Sequence, residues 1–424
     1  MPMSKDFEQR LHPILRDVAA HFATPFHIYD ERGILEQGER LKRAFAGVKG
    51  FQEFYAVKAL PNPEVLKLMN RMGFGFDCSS TPELMLARKA GAVPNQIMFT
   101  SNNTQAYEFE CALANGGSVI NLDDVSLVEK LQRVADGIFP ELICFRYNPG
   151  PRKAGNSIIG EPSKAKYGVT HEQIVDAYAH AIRLGAQRFG LHTMVCSNTK
   201  EHPYMVDTVR LLLEVAALLK RELGIELNFV NMGGGIGIPY RLDDPIFDIE
   251  ALSTECSRLL EAFHVSHSYQ PKLFMESGRW MSGPHGVFVT TVINRKDIYE
   301  THVGVDGGMT GLMRHGMYGA YHHCTVLGGE GREVEVVNVV GAICENCDRL
   351  ATQITLPKTK EGDLIITHDT GAHGLAMGFN YNGRLRPKEL MLRMDGTVEL
   401  IRREETIGDL FTTLTFTPRQ WKKN

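Results

Sequence analysis

Residues 54–101 read FYAVKALPNPEVLKLMNRMGFGFDCSSTPELMLARKAGAVPNQIMFTS, and this stretch decides the fold. FYAVKA, GFDCSS and IMFTS are short apolar or aromatic runs, while PEVLKLMNRMG and PELMLARKAG between them carry apolar residues at helical spacing. Both helical runs close on a glycine, Gly73 and Gly91, a common helix stop. Alternation of this kind builds parallel βαβ units. Working outward, the pattern continues through SVINLD, LICFRYN, FGLHTMV, LNFVNM and LFMES, with the helical EQIVDAYAHAIRLG among them. Eight strands in about 230 residues match the repeat of a (β/α)8 barrel.

The texture changes after residue 285. VFVTTVINRKDIY, EVEVVNVVGAIC, GDLIITHDT and the hairpin ELMLRMDGTVELIRR, with its Asp395-Gly396 turn, are strand-rich and lack helical periodicity. The expected class is therefore α/β, a TIM-like (β/α)8 barrel over 31–285 with a C-terminal antiparallel β domain over 286–424. The N-terminal segment 1–30, through PFHIYD, is expected to add a strand to that β domain.

Bulk properties agree. At 424 residues two domains are expected, and 43% hydrophobic with 23% charged residues is ordinary for a globular protein. The net charge of −4, without a run of Lys and Arg, argues against nucleic acid or an anionic membrane surface as partner. The opening MPMSKDFEQRLHPILRD has no apolar signal core, and the longest apolar run, LLLEVAALL, is interrupted by Glu214. A cytoplasmic location is expected. Most of the eight cysteines, Cys144 and Cys256 among them, sit in apolar runs and read as reduced core residues. Cys344 and Cys347 form a lone CxxC without a second ligand pair, so no metal is expected.

In such a barrel the reactive side chains come from the C-terminal ends of strands. Those ends carry Lys58, Asp77 with Ser79 and Ser80, Arg146, His192 through Asn198, Gly233–Gly235, and Glu276 with Arg279. Lys58, flanked by apolar residues, is either a buried amine with a lowered pKa suited to Schiff-base chemistry or a strand-end lysine reaching solvent. The glycines of NMGGGIGIPY either let backbone N–H groups approach a phosphate or form a plain tight turn. They fail the dinucleotide spacing, because the sixth position is Ile238 from Gly233 and Tyr240 from Gly235. Glu276 suits a pyridine nitrogen, or else is an ordinary surface acid.

These elements, in this order, resemble the alanine-racemase-fold decarboxylases, and among them the diaminopimelate decarboxylase family. YAVKA resembles the cofactor-lysine strand, FDCSS the next motif, GGGIG the phosphate loop and ESGR the pyridinium motif. VDGGMTGLMRHGMYGAYH is similar to the substrate-arginine segment, AICENCD to the Cys-Glu motif, and GAHGLAMGFNYNGRLRP to the C-terminal signature. The resemblance implies pyridoxal 5'-phosphate carried by Lys58, with Glu276 on its ring nitrogen. Gly234, Gly235, Ser277, Gly278 and Arg279 would cradle its phosphate with help from Ser197, while Asp77 and Arg146 complete the surroundings. It further implies that Arg279, Arg314 and Tyr318 hold the substrate's far carboxylate. Cys344 would return a proton and Glu345 grip the distal ammonium, both reaching into the partner's barrel in a homodimer with shared sites. The implied reaction converts meso-diaminopimelate to L-lysine.

Two positions depart from the family. Met194 stands in GLHTMVCSN where a second histidine usually stacks on the cofactor, and His373 follows Gly-Ala where tyrosine is usual. They leave open a decarboxylase of another basic amino acid (D-lysine, D-ornithine or arginine), a racemase, or a catalytically silent regulator. The Met309, Met313, Met317 spacing reads as one helical face packed in a core, and His322-His323 as surface or interface residues. His192 reads equally as a cofactor contact or barrel packing. PRKAGNSIIGEPSKAKYG (151–168) reads as a loop, either a plain connection or a segment over the site.

Overall fold

The computed structural model describes residues 3–155, 158 and 160–417. The chain divides into two units. The first holds Glu31–His285, a short N-terminal piece and Gly371–Ala376; the second holds Lys5–Asp30, Gly286–Thr370 and the chain from Met377 onward.

The first unit is a closed barrel of eight parallel strands. They are β1 (Gln52–Ala56), β2 (Gly75–Cys78), β3 (Ile97–Thr100), β4 (Val119–Leu122), β5 (Leu142–Arg146), β6 (Arg188–His192), β7 (Phe229–Asn231) and β8 (Lys272–Met275). Every expected strand is present, and β1 closes the ring on β8 with Gln52 opposite Phe274 and Glu53 opposite Met275. Phe54, Met98, Val119, Cys144 and Phe229 fill the lumen, with Phe274 packed against them. The Phe229 and Phe274 rings stack at 4.4 Å, and Phe54 meets Phe274 at 5.0 Å. Gly190 makes room for this aromatic layer, since a methyl group there would collide with the Phe229 ring. The plug closes the lumen below the C-terminal strand ends and leaves those ends as the place for polar side chains.

The outer helices follow from local signals. Asn62 accepts the Glu64 N–H ahead of the helix Pro63–Arg71, and Asp248 accepts that of Ala251 ahead of Ile249–His267. Gly371–Ala376 belongs to this unit rather than to the β domain expected over 286–424. The His373 N–H donates to Ala59 O at 2.8 Å and that of Gly371 to Gly283 O at 3.1 Å.

The second unit is built on a nine-stranded sheet. Phe26–Asp30 lies between Gly286–Asp297, to which it is antiparallel, and Lys388–Leu392, to which it is parallel. Thr301–Val305 and Val334–Val340 form a second parallel pair, so the sheet is mixed where an antiparallel one was expected. A hairpin forces antiparallel pairing only on strands joined by a tight turn, and neither parallel pair is so joined. The Asp395-Gly396 turn does join one such hairpin, with the Thr397 N–H donating to Asp395 Oδ1 at 2.9 Å. No helix of the described residues is long and apolar enough to cross a membrane.

Candidate active site

Each barrel strand delivers a polar side chain at or just beyond its C-terminal end: Lys58, Asp77, Thr100, Asn121, Arg146, His192, Asn231 and Glu276 in strand order. All but Lys58 are buried. Lys58 projects from the single turn Val57–Ala59 that follows β1, with 48% of its side chain exposed and its Nζ 3.1 Å from Asp77 Oδ2. Glu276, one residue past β8, faces His192 Nε2 at 3.2 Å and receives Asn231 Nδ2 at 2.7 Å. Asn231 also accepts the Gly233 N–H at 2.9 Å, so one amide ties the acid to the glycine loop. Asn121 donates to Thr100, while Arg146 lies 3.6 Å from Asp123 and over the Tyr167 ring at 3.8 Å.

The electrostatics of this ring separate two neighbouring acids. Burial pushes the Asp77 carboxyl up and Glu276 adds to the push, against Lys58 and His192. Burial also acts to raise Glu276, but His192, Lys58 and the Asn231 amide outweigh it and hold Glu276 below the usual range. Glu276 is thus the acid that keeps its charge, and Asp77 the one that holds a proton more readily. Burial acts to lower Lys58, yet Asp77, Glu276 and Glu83 prevail and its pKa is raised. The lowered pKa expected from its apolar sequence neighbours is therefore corrected, because the carboxylates facing it come from other strands. Burial raises Asp123 to about 6, with Arg146 opposing.

The glycine loop packs tightly against its surroundings. A methyl on Gly234 would strike the Glu276 carbonyl, and Gly235, at φ +108°, would place one 2.6 Å from Cys196 Sγ. Gly235 O accepts the Thr199 N–H at 2.9 Å, and Ile238 N–H donates to Asn198 Oδ1 at 3.1 Å, which fixes the loop to the segment after β6. Met194 lies against it, with Sδ 3.2 Å from where a Gly233 methyl would sit. Gly278 opens the short helix Gly278–Ser282, and its missing side chain leaves room for Ala59 beside Lys58. Arg279 is buried and donates to Tyr240 Oη at 2.6 Å and Ser197 Oγ at 3.3 Å. His373 sits in the left-handed region beside the Lys58 turn through its bond to Ala59. Of segment 151–168, residues 156, 157 and 159 lie outside the described residues, and Tyr167 meets Arg146 as noted.

The other expected site residues lie in the second unit. Arg314 starts the helix Arg314–Tyr318, is buried, and donates Nη1 to His322 Nε2 at 2.8 Å. His322 in turn donates Nδ1–H to His368 O at 2.8 Å. His322 is thus a buried partner of Arg314, not the surface or interface residue expected. Tyr318 is 45% exposed. The helix there is too short to carry three methionines on one face, and Met317 is exposed where core packing was expected. Cys344 and Glu345 lie exposed on a loop that Asp348 closes by accepting the Ile343 N–H at 2.9 Å, and Cys344 Sγ is 3.7 Å from Asn382 Oδ1. Both thiol and acid act on Tyr381, raising its pKa. Asn231, Asp123, Tyr167, Tyr240 and His322 were missed as partners in the sequence; Asn231 and Tyr240 flank the glycine loop, which was the available signal.

Fold and site together define a β/α-barrel enzyme with a lysine opposed to buried acids over a glycine loop. Residues 31–283 match the family model described as pyridoxal-dependent decarboxylase, pyridoxal binding domain, and the chain belongs to that family. Protein TabA of Pseudomonas amygdali pv. tabaci is 45% identical over 409 residues, which span 96% of this chain and 95% of TabA. Diaminopimelate decarboxylase of Methanothermobacter thermautotrophicus is 33% identical over 401 residues, 93% of this chain and 92% of its own. The crystal structure of diaminopimelate decarboxylase from M. jannaschii in co-complex with L-lysine superposes with a TM-score of 0.88 at 28% identity, covering 94% of each chain. The protein is an enzyme whose cofactor is pyridoxal phosphate. Its residues fit that group: an amine paired to an acid, one buried acid that keeps its charge, and a side-chain-free loop beside them.

Proposed function

We propose that the enzyme decarboxylates meso-2,6-diaminopimelate to L-lysine and carbon dioxide, as the last step of lysine biosynthesis, and acts as a cytoplasmic homodimer with shared sites. The observation that carries the chemistry is the ring of strand-end side chains in which the half-open Lys58 faces the buried Asp77 while Glu276 keeps its charge. Similarity to diaminopimelate decarboxylases over nearly the whole chain, and the buried Arg314, support the substrate. Pyridoxal phosphate, when bound, supplies the electron sink for the pair left as carbon dioxide departs. Lys58 holds it through Nζ, and Asp77 takes and returns the proton at that nitrogen. Glu276 keeps the ring nitrogen protonated, with His192 and Asn231 holding its two oxygens. Backbone N–H groups at Gly234 and Gly235, with Ser197 and His373, would bind the phosphate, with the Ser277–Gly278 turn beside them, while Met194 would contact the ring and Arg146 complete the wall. Arg314 and Tyr318, with Arg279, hold the far carboxylate, for which planar guanidinium suits. From the second copy, Glu345 takes the distal ammonium and Cys344 protonates the carbon that lost its carboxylate.

A second reading, decarboxylation of another amino acid such as D-lysine, D-ornithine or arginine, is favoured by the higher identity to TabA and by Met194. Carbon dioxide release from these compounds and meso-diaminopimelate, with Lys58→Ala as control, separates the two. Lysine formed from diaminopimelate alone is the expected result; release only from another amino acid replaces the substrate and keeps the chemistry.

A further inference from the structure

Glu53 is an acid in the wall of the barrel, assigned no part in the proposed reaction. It is the second residue of β1, opposite Met275 of β8, and only 1% exposed. Its Oε1 accepts the Ser277 N–H at 2.6 Å. Its Oε2 is buried and has no hydrogen-bond partner among the described residues.

We propose that Glu53 is a positioning residue for the cofactor site: its carboxyl holds the Ser277 peptide and so sets the turn that carries Glu276 and Arg279. The inference rests on the reading that Glu276 serves the cofactor's ring nitrogen. The β1–β8 ladder ends at the Glu53–Met275 pair, so the Ser277 N–H lies beyond the last strand carbonyl that would accept it. A side chain must supply the acceptor, because a buried N–H left unmade is costly. Glu53 reaches Ser277, two residues past the end of β8 and next to Glu276, whose own oxygens are taken by His192 and Asn231. The acceptor is a neutral acid. An ionised carboxylate with one bare buried oxygen is strongly disfavoured. Burial pushes its pKa well above the usual range, and against the opposing Ser277 bond, Glu276 and Asp77 push the same way. Neutrality has a consequence for the site: a third charged carboxylate beside Asp77 and Glu276 would raise the proton affinity of both and cost Glu276 the charge it needs.

The test uses full-length enzyme with Glu53→Gln, Glu53→Met and Glu53→Asp, the last two removing or withdrawing the acceptor. Pyridoxal phosphate affinity and the pH titration of its visible absorbance are read on folded protein, and infrared spectra on cofactor-free protein. Glu53→Gln is expected to match wild type in affinity and titration, because amide and neutral acid present the same acceptor. Glu53→Met is expected to bind about tenfold more weakly, with a displaced titration; should it not fold, Glu53→Asp is expected to show the same displacement. The cofactor-free wild type is expected to show a protonated-carboxyl band that Glu53→Gln lacks. An unmoved affinity and titration in both Met and Asp variants overturns the positioning role, since a merely structural residue lowers melting temperature alone. A Gln variant displaced like Met, or no carboxyl band, overturns the neutral acceptor. A wild type that takes up no cofactor overturns the reading of the site itself, and the infrared result still judges the protonation of Glu53.

Discussion

Replacing Asn231 with alanine removes three buried hydrogen bonds at once, one of them a weak donation to Met98 Sδ at 3.2 Å. Its Nδ2 donates to Glu276 Oε1 at 2.7 Å, and its Oδ1 accepts the Gly233 N–H at 2.9 Å. A bond to a charged group contributes roughly 1.5–3 kcal/mol, and a buried N–H stripped of its acceptor costs about 1–3 kcal/mol. Both partners sit in a region with no solvent to replace the amide, since Asn231 is 0% exposed. The expected loss is therefore about 3–5 kcal/mol of barrel stability, or ~6–12 °C in its melting transition. The same change frees both the acid and the glycine loop. If half the loss is felt in binding, pyridoxal phosphate affinity falls about tenfold or more. Glu276 also loses one of the contacts that hold its pKa down, so its proton uptake moves to higher pH. Calorimetry and an absorbance titration of the cofactor measure the two losses independently. A variant that melts with wild type and binds the cofactor equally well would refute the reasoning, because it would mean that Asn231 holds neither partner.

Three further outcomes are expected. Gly190→Ala should destabilise the barrel by about 1–3 kcal/mol through overpacking against Phe229, and Phe229→Leu in the same chain should recover part of it; a thermal melt of the single and double variants decides, and strict additivity removes the contact as cause. His27 is fully buried; burial, despite Glu389 and the Gly311 carbonyl, lowers its pKa to about 4. The unfolded chain then takes up a proton near pH 6.5 that the fold refuses until about pH 4, so stability falls as pH drops through that window, by about 3 kcal/mol in all. Denaturation followed from pH 7.5 to 4.5 should show a shallower decline in His27→Gln, and an equal slope would discard His27 as the source. Met194→Ala should weaken pyridoxal phosphate binding by about 0.3–1.5 kcal/mol, the range of a thioether–aromatic contact; an unchanged dissociation constant would place Met194 away from the ring.

Much of this protein is local information. The eight strands, the helices between them and the Asp395-Gly396 hairpin were legible because periodicity, glycine stops and turn residues act over a few positions. Lys58, the glycine triplet and Glu276 stood out for the same reason: each is an unusual residue at a strand end. What the sequence did not show is which side chains meet. Asn231 is a single polar residue at the end of an apolar run, and nothing nearby announces Glu276, 45 positions away, as its partner. The raised pKa of Lys58, the mixed second sheet, the burial of His322 and the grouping of Gly371–Ala376 with the barrel share this origin. Strand identity and reactive residue types are written along the chain, where sterics and hydrophobic spacing operate between neighbours. Charge, protonation and sheet direction were settled by tertiary structure alone, because Coulomb interactions, desolvation and strand pairing depend on what distant segments bring within a few ångströms.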